Sequence, residues 1–185
     1  MANSIKTDRL ILRRPVAADT AAIAVFMQEK SLPWNLGRAP WPYEESDAAE
    51  WLALTVKQWS EGAEYPYMIT LADTEMLIGS CGLTRITDCI FELGYWIGKP
   101  HWGHGYVTEA SAALLAWART SLGATGFISG HIEDNSASGR VLEKLGFSRV
   151  GTAQMYARGR GGEVTAVRYA LDAPAKLALK SSVHG

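Results

Sequence analysis

Residues 101–110, HWGHGYVTEA, set Gly103 and Gly105 around a histidine, directly ahead of an alanine-rich run that favours a helix. Helices ordinarily start on Ser, Thr, Asp or Asn, and a glycine costs about 1 kcal/mol in a helical turn. Bare backbone at a helix mouth suits an anion. The first N–H groups there lack an intrahelical acceptor, the helix dipole adds partial positive charge, and glycine lets phosphate oxygens approach the main chain. The stretch is not a P-loop, because no Gly-Lys-Ser/Thr follows, and it fails the dinucleotide fingerprint because Thr108 occupies the third glycine position. A strand-to-helix turn with no ligand satisfies the same residues, so the turn alone leaves both readings open.

Other reactive groups narrow the chemistry. His101 and His104 stand three apart with no third ligand nearby, so no metal site is expected. Cys81 and Cys89 are too few for a disulfide framework, and neither is placed as a nucleophile. Residues 133–147, EDNSASGRVLEKLGF, bring an amide, Asn135, and a hydroxyl, Ser138, to the first turn of another helix.

The elements that must position these groups follow from periodicity. Strands are expected at 10–14, 67–72, 76–85, 91–98, 126–132, 147–153 and 164–171, and helices at 17–30, 44–61, 107–121 and 136–145, the last ending at Gly146. Residues 31–43, SLPWNLGRAPWPY, hold three prolines and cannot be regular structure. The glycine-rich ARGRGGE links the final two strands. A single helix between the strands at 91–98 and 126–132 implies a right-handed crossover joining parallel neighbours. The order is mixed α/β. One domain is expected over 1–172, with a weakly ordered tail at 173–185.

The chain has 185 residues, 48% of them hydrophobic and 20% charged, which suits one soluble domain with its own core. A net charge of −1 gives no general attraction to nucleic acid or to an anionic membrane. No stretch approaches the ~20 apolar residues of a membrane span, and MANSIKTDRL is charged where a signal peptide is apolar, so a cytoplasmic location is expected.

ELGYWIGKPHWGHGYVTEA and DNSASGRVLEKLGF together closely resemble the GNAT superfamily of acyl-coenzyme-A-dependent N-acetyltransferases, and within it the RimJ/RimL branch. TDRLILRRPVAAD resembles that branch's first strand and turn, so the likeness runs from about residue 7 to 171. The superfamily's pyrophosphate signature, Q/R-x-x-G-x-G/A, is met only in its glycines; Pro100 or Trp102 stands where Gln or Arg is usual.

The resemblance implies a six- to seven-stranded, mostly antiparallel sheet with a splayed central parallel pair, flanked by about four helices. It implies acetyl-CoA as cosubstrate, with Tyr95, Trp96 and Ile97 against the pantetheine arm. Gly103, His104, Gly105, Tyr106, Val107 and Thr108 would lie on the pyrophosphate, and Asn135 on the pantetheine. It implies direct attack by a primary amine, Ser138 protonating the leaving thiolate, and Glu92 taking the amine proton through water; Tyr95 is an alternative hydroxyl. Arg140 and Lys144 would reach the 3′-phosphate or form a solvated helix face. Trp34 and Trp41, on the proline-rich loop, are candidates for the acceptor pocket wall. The acceptor is a protein N-terminus or a small-molecule amine, the chain a monomer or homodimer, and a coenzyme-binding module without chemistry is the alternative reading.

Overall fold

The computed structural model describes residues 4–180. It opens on a hairpin, Ser4–Lys6 (β1) and Leu10–Arg13 (β2), followed by Thr20–Met27 (α1) and Glu45–Ser60 (α2). Glu64–Leu71 (β3), Leu77–Arg85 (β4) and Ile90–Ile97 (β5) form an antiparallel meander. Tyr106–Ser121 (α3) crosses to Gly126–Ile132 (β6), which lies parallel to β5. Ser136–Lys144 (α4), Ser148–Ala157 (β7), Gly162–Leu171 (β8) and Ala175–Lys180 (α5) complete the order.

The sheet runs β1-β2-β3-β4-β5-β6-β8-β7, with β5–β6 its parallel pair. Side chains alternate between the two faces. Tyr65, Tyr67, Cys81, Leu83, Phe91 and Leu93 therefore share the face packed beneath α3, in one core with Leu114, Trp117 and Ala118. Met68 and Leu77 pack on the opposite side with Ile23 and Met27 of α1 and Ala48 of α2.

Two expectations are revised. The sheet has eight strands, because residues 4–6 add an edge strand too short to show a period. Within 173–185, residues 175–180 form α5, whose Ala178 is fully buried against Ile90 and Ile128, so this part of the tail is packed structure. Residues 181–185 lie outside the described residues.

Candidate active site

Gly103 and Gly105 have φ of +80° and +78°, the left-handed region that L side chains rarely adopt. A Cβ built on Gly103 meets nothing within 4 Å, and one on Gly105 meets only Arg9 Nη2, at 3.7 Å. Backbone handedness, not crowding, requires these glycines, and the space beside them is open. Gly105 is the residue before α3, and it offers no side chain to the helix's first N–H groups, which point into that space.

The β1–β2 turn latches this loop. Arg9 pairs with Glu109 (Nη2–Oε2 2.6 Å), donates to His104 O at 3.0 Å and lies 4.7 Å from the Tyr106 ring centroid. Thr7 Oγ1 donates to the same Glu109 carboxylate at 2.6 Å. Burial pushes the Glu109 carboxyl up, but these hydrogen bonds outweigh it and hold the group below its ordinary pKa.

The parallel pairing stops early. β5 and β6 are in register at Ile90–Gly126, Phe91–Phe127 and Glu92–Ile128, after which the strands diverge. At the point of divergence Ser129 Oγ donates to Leu93 O at 2.8 Å, putting a side chain where the next ladder bond would form. Farther out, Trp102 Nε1 donates to Ile97 O at 2.8 Å. Because Leu93 and Ile97 direct their carbonyls away from β4, the period of two turns the N–H and C=O of Tyr95 into the same gap.

Across that gap, the Tyr95 hydroxyl donates to Ser138 O at 3.0 Å and lies 2.9 Å from Ser138 Oγ. Burial raises the Tyr95 pKa, opposed in part by the Ser138 hydrogen bond, so the phenol stays protonated at neutral pH. Asn135 Oδ1 caps α4 by accepting the Ser138 N–H at 3.4 Å, which fixes the turn carrying the hydroxyl.

Two cavities meet at β5. The first, about 540 Å³, runs from the open glycine loop along the gap; Tyr95, Trp96, Ile97, Gly103, Gly105, Tyr106, Val107, Thr108, Asn135 and Ser138 all line it, as do Arg140 and Lys144. The second, about 320 Å³, lies under α1 and α2 and is walled by Met27, Tyr43, Trp51, Leu54 and the Arg38–Glu64 pair. Leu36, Gly94, Tyr95 and Trp96 belong to both. On its sheet floor Pro66, Gly82 and Gly94 sit opposite one another on β3, β4 and β5, a cross-strand row without bulky side chains. That row leaves room for a ligand to reach β5 from the α2 side.

Four sequence assignments need correction. Glu92 is 1% exposed and ion-paired with Arg168 (Oε1–Nη2 2.8 Å) at the root of the divergence; it lines neither cavity, so it is not placed to receive a proton from an incoming amine. His104 turns onto the Tyr106 ring, centroids 5.5 Å apart, and contributes its carbonyl to Arg9 instead of facing the cleft. Trp34 carries Lys30 and Arg160 against its ring, and neither it nor Trp41 lines either of these two cavities. The proline-rich loop does form cavity wall, but through Leu32, Asn35, Leu36, Gly37 and Arg38.

Sequence reasoning also missed Arg9, Ser129, Arg160 and Arg168. The TDRL segment was visible, but its partner Glu109 is a hundred positions away. Among the described residues, no group of three or more His, Cys, Asp or Glu side chains could hold a metal ion, and no helix is long and apolar enough to cross a membrane.

Known proteins match this architecture throughout. The chain is 24% identical over 170 residues to the uncharacterized N-acetyltransferase p20 of Bacillus licheniformis, covering 91% of this chain and 95% of that protein. The solved RimL ribosomal L7/L12 alpha-N-protein acetyltransferase in complex with coenzyme A superposes with a TM-score of 0.78 at 20% identity, covering 92% of this chain and 99% of that one. The microcin C7 self-immunity acetyltransferase MccE, solved with acetyl-CoA and AMP, gives 0.76 at 19% identity over 89% and 92% of the two chains. Residues 9–148 match the family model described as an acetyltransferase (GNAT) domain, and on that match the chain belongs to the GNAT family of acetyltransferases.

Proposed function

We propose that the protein moves an acetyl group from acetyl-CoA to a primary amine, on a protein N-terminus or a small molecule, by direct attack within a ternary complex. The observation that carries this reading is the meeting of two cavities at Gly94–Trp96, where the diverged strand separates a phosphate-suited cleft from a second, mixed-polarity chamber.

The residues fit the coenzyme. The first N–H groups of α3 and the open flank of Gly103 suit a diphosphate, Arg140 and Lys144 supply cations on the same cleft, and the unpaired edge of β5 suits an amide-bearing arm. When bound, the thioester supplies an activated acyl group. The Tyr95 N–H, turned into the gap, polarises the acyl oxygen as a fixed donor. Ser138 Oγ, hydrogen-bonded to the Tyr95 phenol, holds a proton for the departing sulfur, and Tyr95 can replenish it. With Glu92 committed to Arg168, the amine proton leaves through water in the acceptor chamber. An α-amine of pKa near 8 is about a tenth neutral at pH 7 and makes little demand on a base, whereas a lysine amine near 10.4 makes a large one.

Thiol release from acetyl-CoA, followed over a panel of peptides with free N-termini and small amines, tests the reading. Turnover on at least one amine is expected; tight acetyl-CoA binding with no turnover on any would favour the non-catalytic module. Ser138→Ala should lower kcat about 100-fold while acetyl-CoA affinity changes little. Equal losses in both would make Ser138 a ligand-positioning group.

A further inference from the structure

The ARGRGGE segment forms the tip of the β7–β8 hairpin, and its contacts reach both cavities. Arg160 Nη1 and Nη2 each lie 2.7 Å from a carboxylate oxygen of Asp134, in the turn before α4. Arg160 Nε donates to Trp34 O at 2.8 Å, Nη2 to Asn35 Oδ1 at 3.4 Å, and the guanidinium sits 5.2 Å from the Trp34 ring centroid. Its side chain is only 15% exposed. Beside it the Arg158 N–H donates to Gly37 O at 2.9 Å, and a Cβ on Gly159 would lie 2.7 Å from Pro33 O and 3.0 Å from Ala39 O. The hairpin tip is thus pressed against the proline-rich loop, and only a residue without a side chain fits at its centre.

From this arrangement, which rests on the acetyltransferase reading above, we infer that Arg160 is a positioning residue for the transfer. It fastens the loop that walls the acceptor chamber to the turn that carries the proton-donating hydroxyl. Asp134 directly precedes Asn135, whose amide caps Ser138; Asn35 directly precedes Leu36, which lines both cavities. One planar guanidinium therefore sets the distance between the acceptor wall and Ser138. Arginine suits this task because its fork satisfies a carboxylate bidentately while a third N–H takes a carbonyl; a lysine ammonium offers one point of attachment. The glycine loop is fixed separately, by Arg9 and Glu109; Asp134 and Asn35 also line the coenzyme cleft, so Arg160 sets the acceptor wall against that cleft and not against the phosphate-suited turn.

The test uses the full chain carrying Arg160→Ala, Arg160→Lys or Asp134→Asn, the best amine from the panel, and three readouts: acetyl-CoA Kd, kcat with acceptor KM, and Tm. In Arg160→Ala, kcat should fall about tenfold or more, because small misplacements of reacting groups are costly, and acceptor KM should rise. Acetyl-CoA Kd should stay within about threefold, and Arg160→Lys should recover only part of kcat. A lower Tm with unchanged kcat and KM would make Arg160 purely structural and overturn the inference. So would a matching loss of acetyl-CoA affinity. If Arg160→Ala does not fold, Arg160→Lys and Asp134→Asn decide by the same criteria. Absence of wild-type turnover on every amine overturns the acetyltransferase reading together with this one, whereas turnover indifferent to Arg160 overturns this one alone.

Discussion

On the proposed coenzyme side of β5 the groups facing the cleft are largely main chain: the N–H groups opening α3, the edge of Tyr95 turned into the gap, and two glycines with open space beside them. On the proposed acceptor side they are side chains from separate parts of the chain: α1, the proline-rich loop, α2, the sheet and the β7–β8 hairpin. A main-chain site reads features common to every coenzyme ester, and it changes only if the fold changes. A side-chain site can be rebuilt one residue at a time. The difference explains how relatives at about 20% identity keep this fold while their names point to different substrates.

Substitutions on either side should separate the two, and the largest effect belongs to what holds them in register. Arg168→Met removes one partner of the buried Glu92–Arg168 ion pair and should cost about 3–5 kcal/mol of stability in urea unfolding. Adding Glu92→Leu should recover much of that loss. Next in size, Gly105→Val puts a branched side chain where the N–H groups are bared. Acetyl-CoA affinity should fall roughly 100-fold, about 3 kcal/mol of lost charge-assisted contacts, in a protein that still folds. Trp51→Ala, on the other side, should raise acceptor KM about tenfold and leave acetyl-CoA affinity unchanged, as measured by calorimetry. Loss of coenzyme affinity in the Trp51 variant would collapse the distinction.

The smallest effect is on pH. Glu109 has a folded pKa below its ordinary value, so its latch stabilises the protein above the usual carboxylate range, and that contribution disappears as pH falls through the lowered value. The urea midpoint of wild type should exceed that of Glu109→Gln at neutral pH, and the gap should close in acid.

The same division decides how much could be read from the chain. Gly103, Gly105, Asn135 and Ser138 announce themselves because backbone conformation and helix capping are local, written in adjacent residues. The parallel pairing of β5 with β6 followed from a helix between two strands, and most strands from their period. Glu92 misled because its fate depends on Arg168, 76 residues later, and the tryptophans misled because two nearby cations claim Trp34. Residues 4–6 and 175–180 were missed because a three-residue strand and a six-residue helix carry too little pattern to register. Long-range pairing of charged side chains leaves no periodic trace.

The closing helix has a bearing on how the enzyme can be handled. Arg168 Nε donates to Ala178 O at 2.7 Å, so one of the last carbonyls in the described chain serves as a stopper on a cation sealed at the root of the fork. A version trimmed back to the end of β8 would unseal that charge and let solvent in at the one point where the two strands must stay joined. Residues 175–180 are therefore a poor place to economise, and a purification handle should not be spliced in their stead.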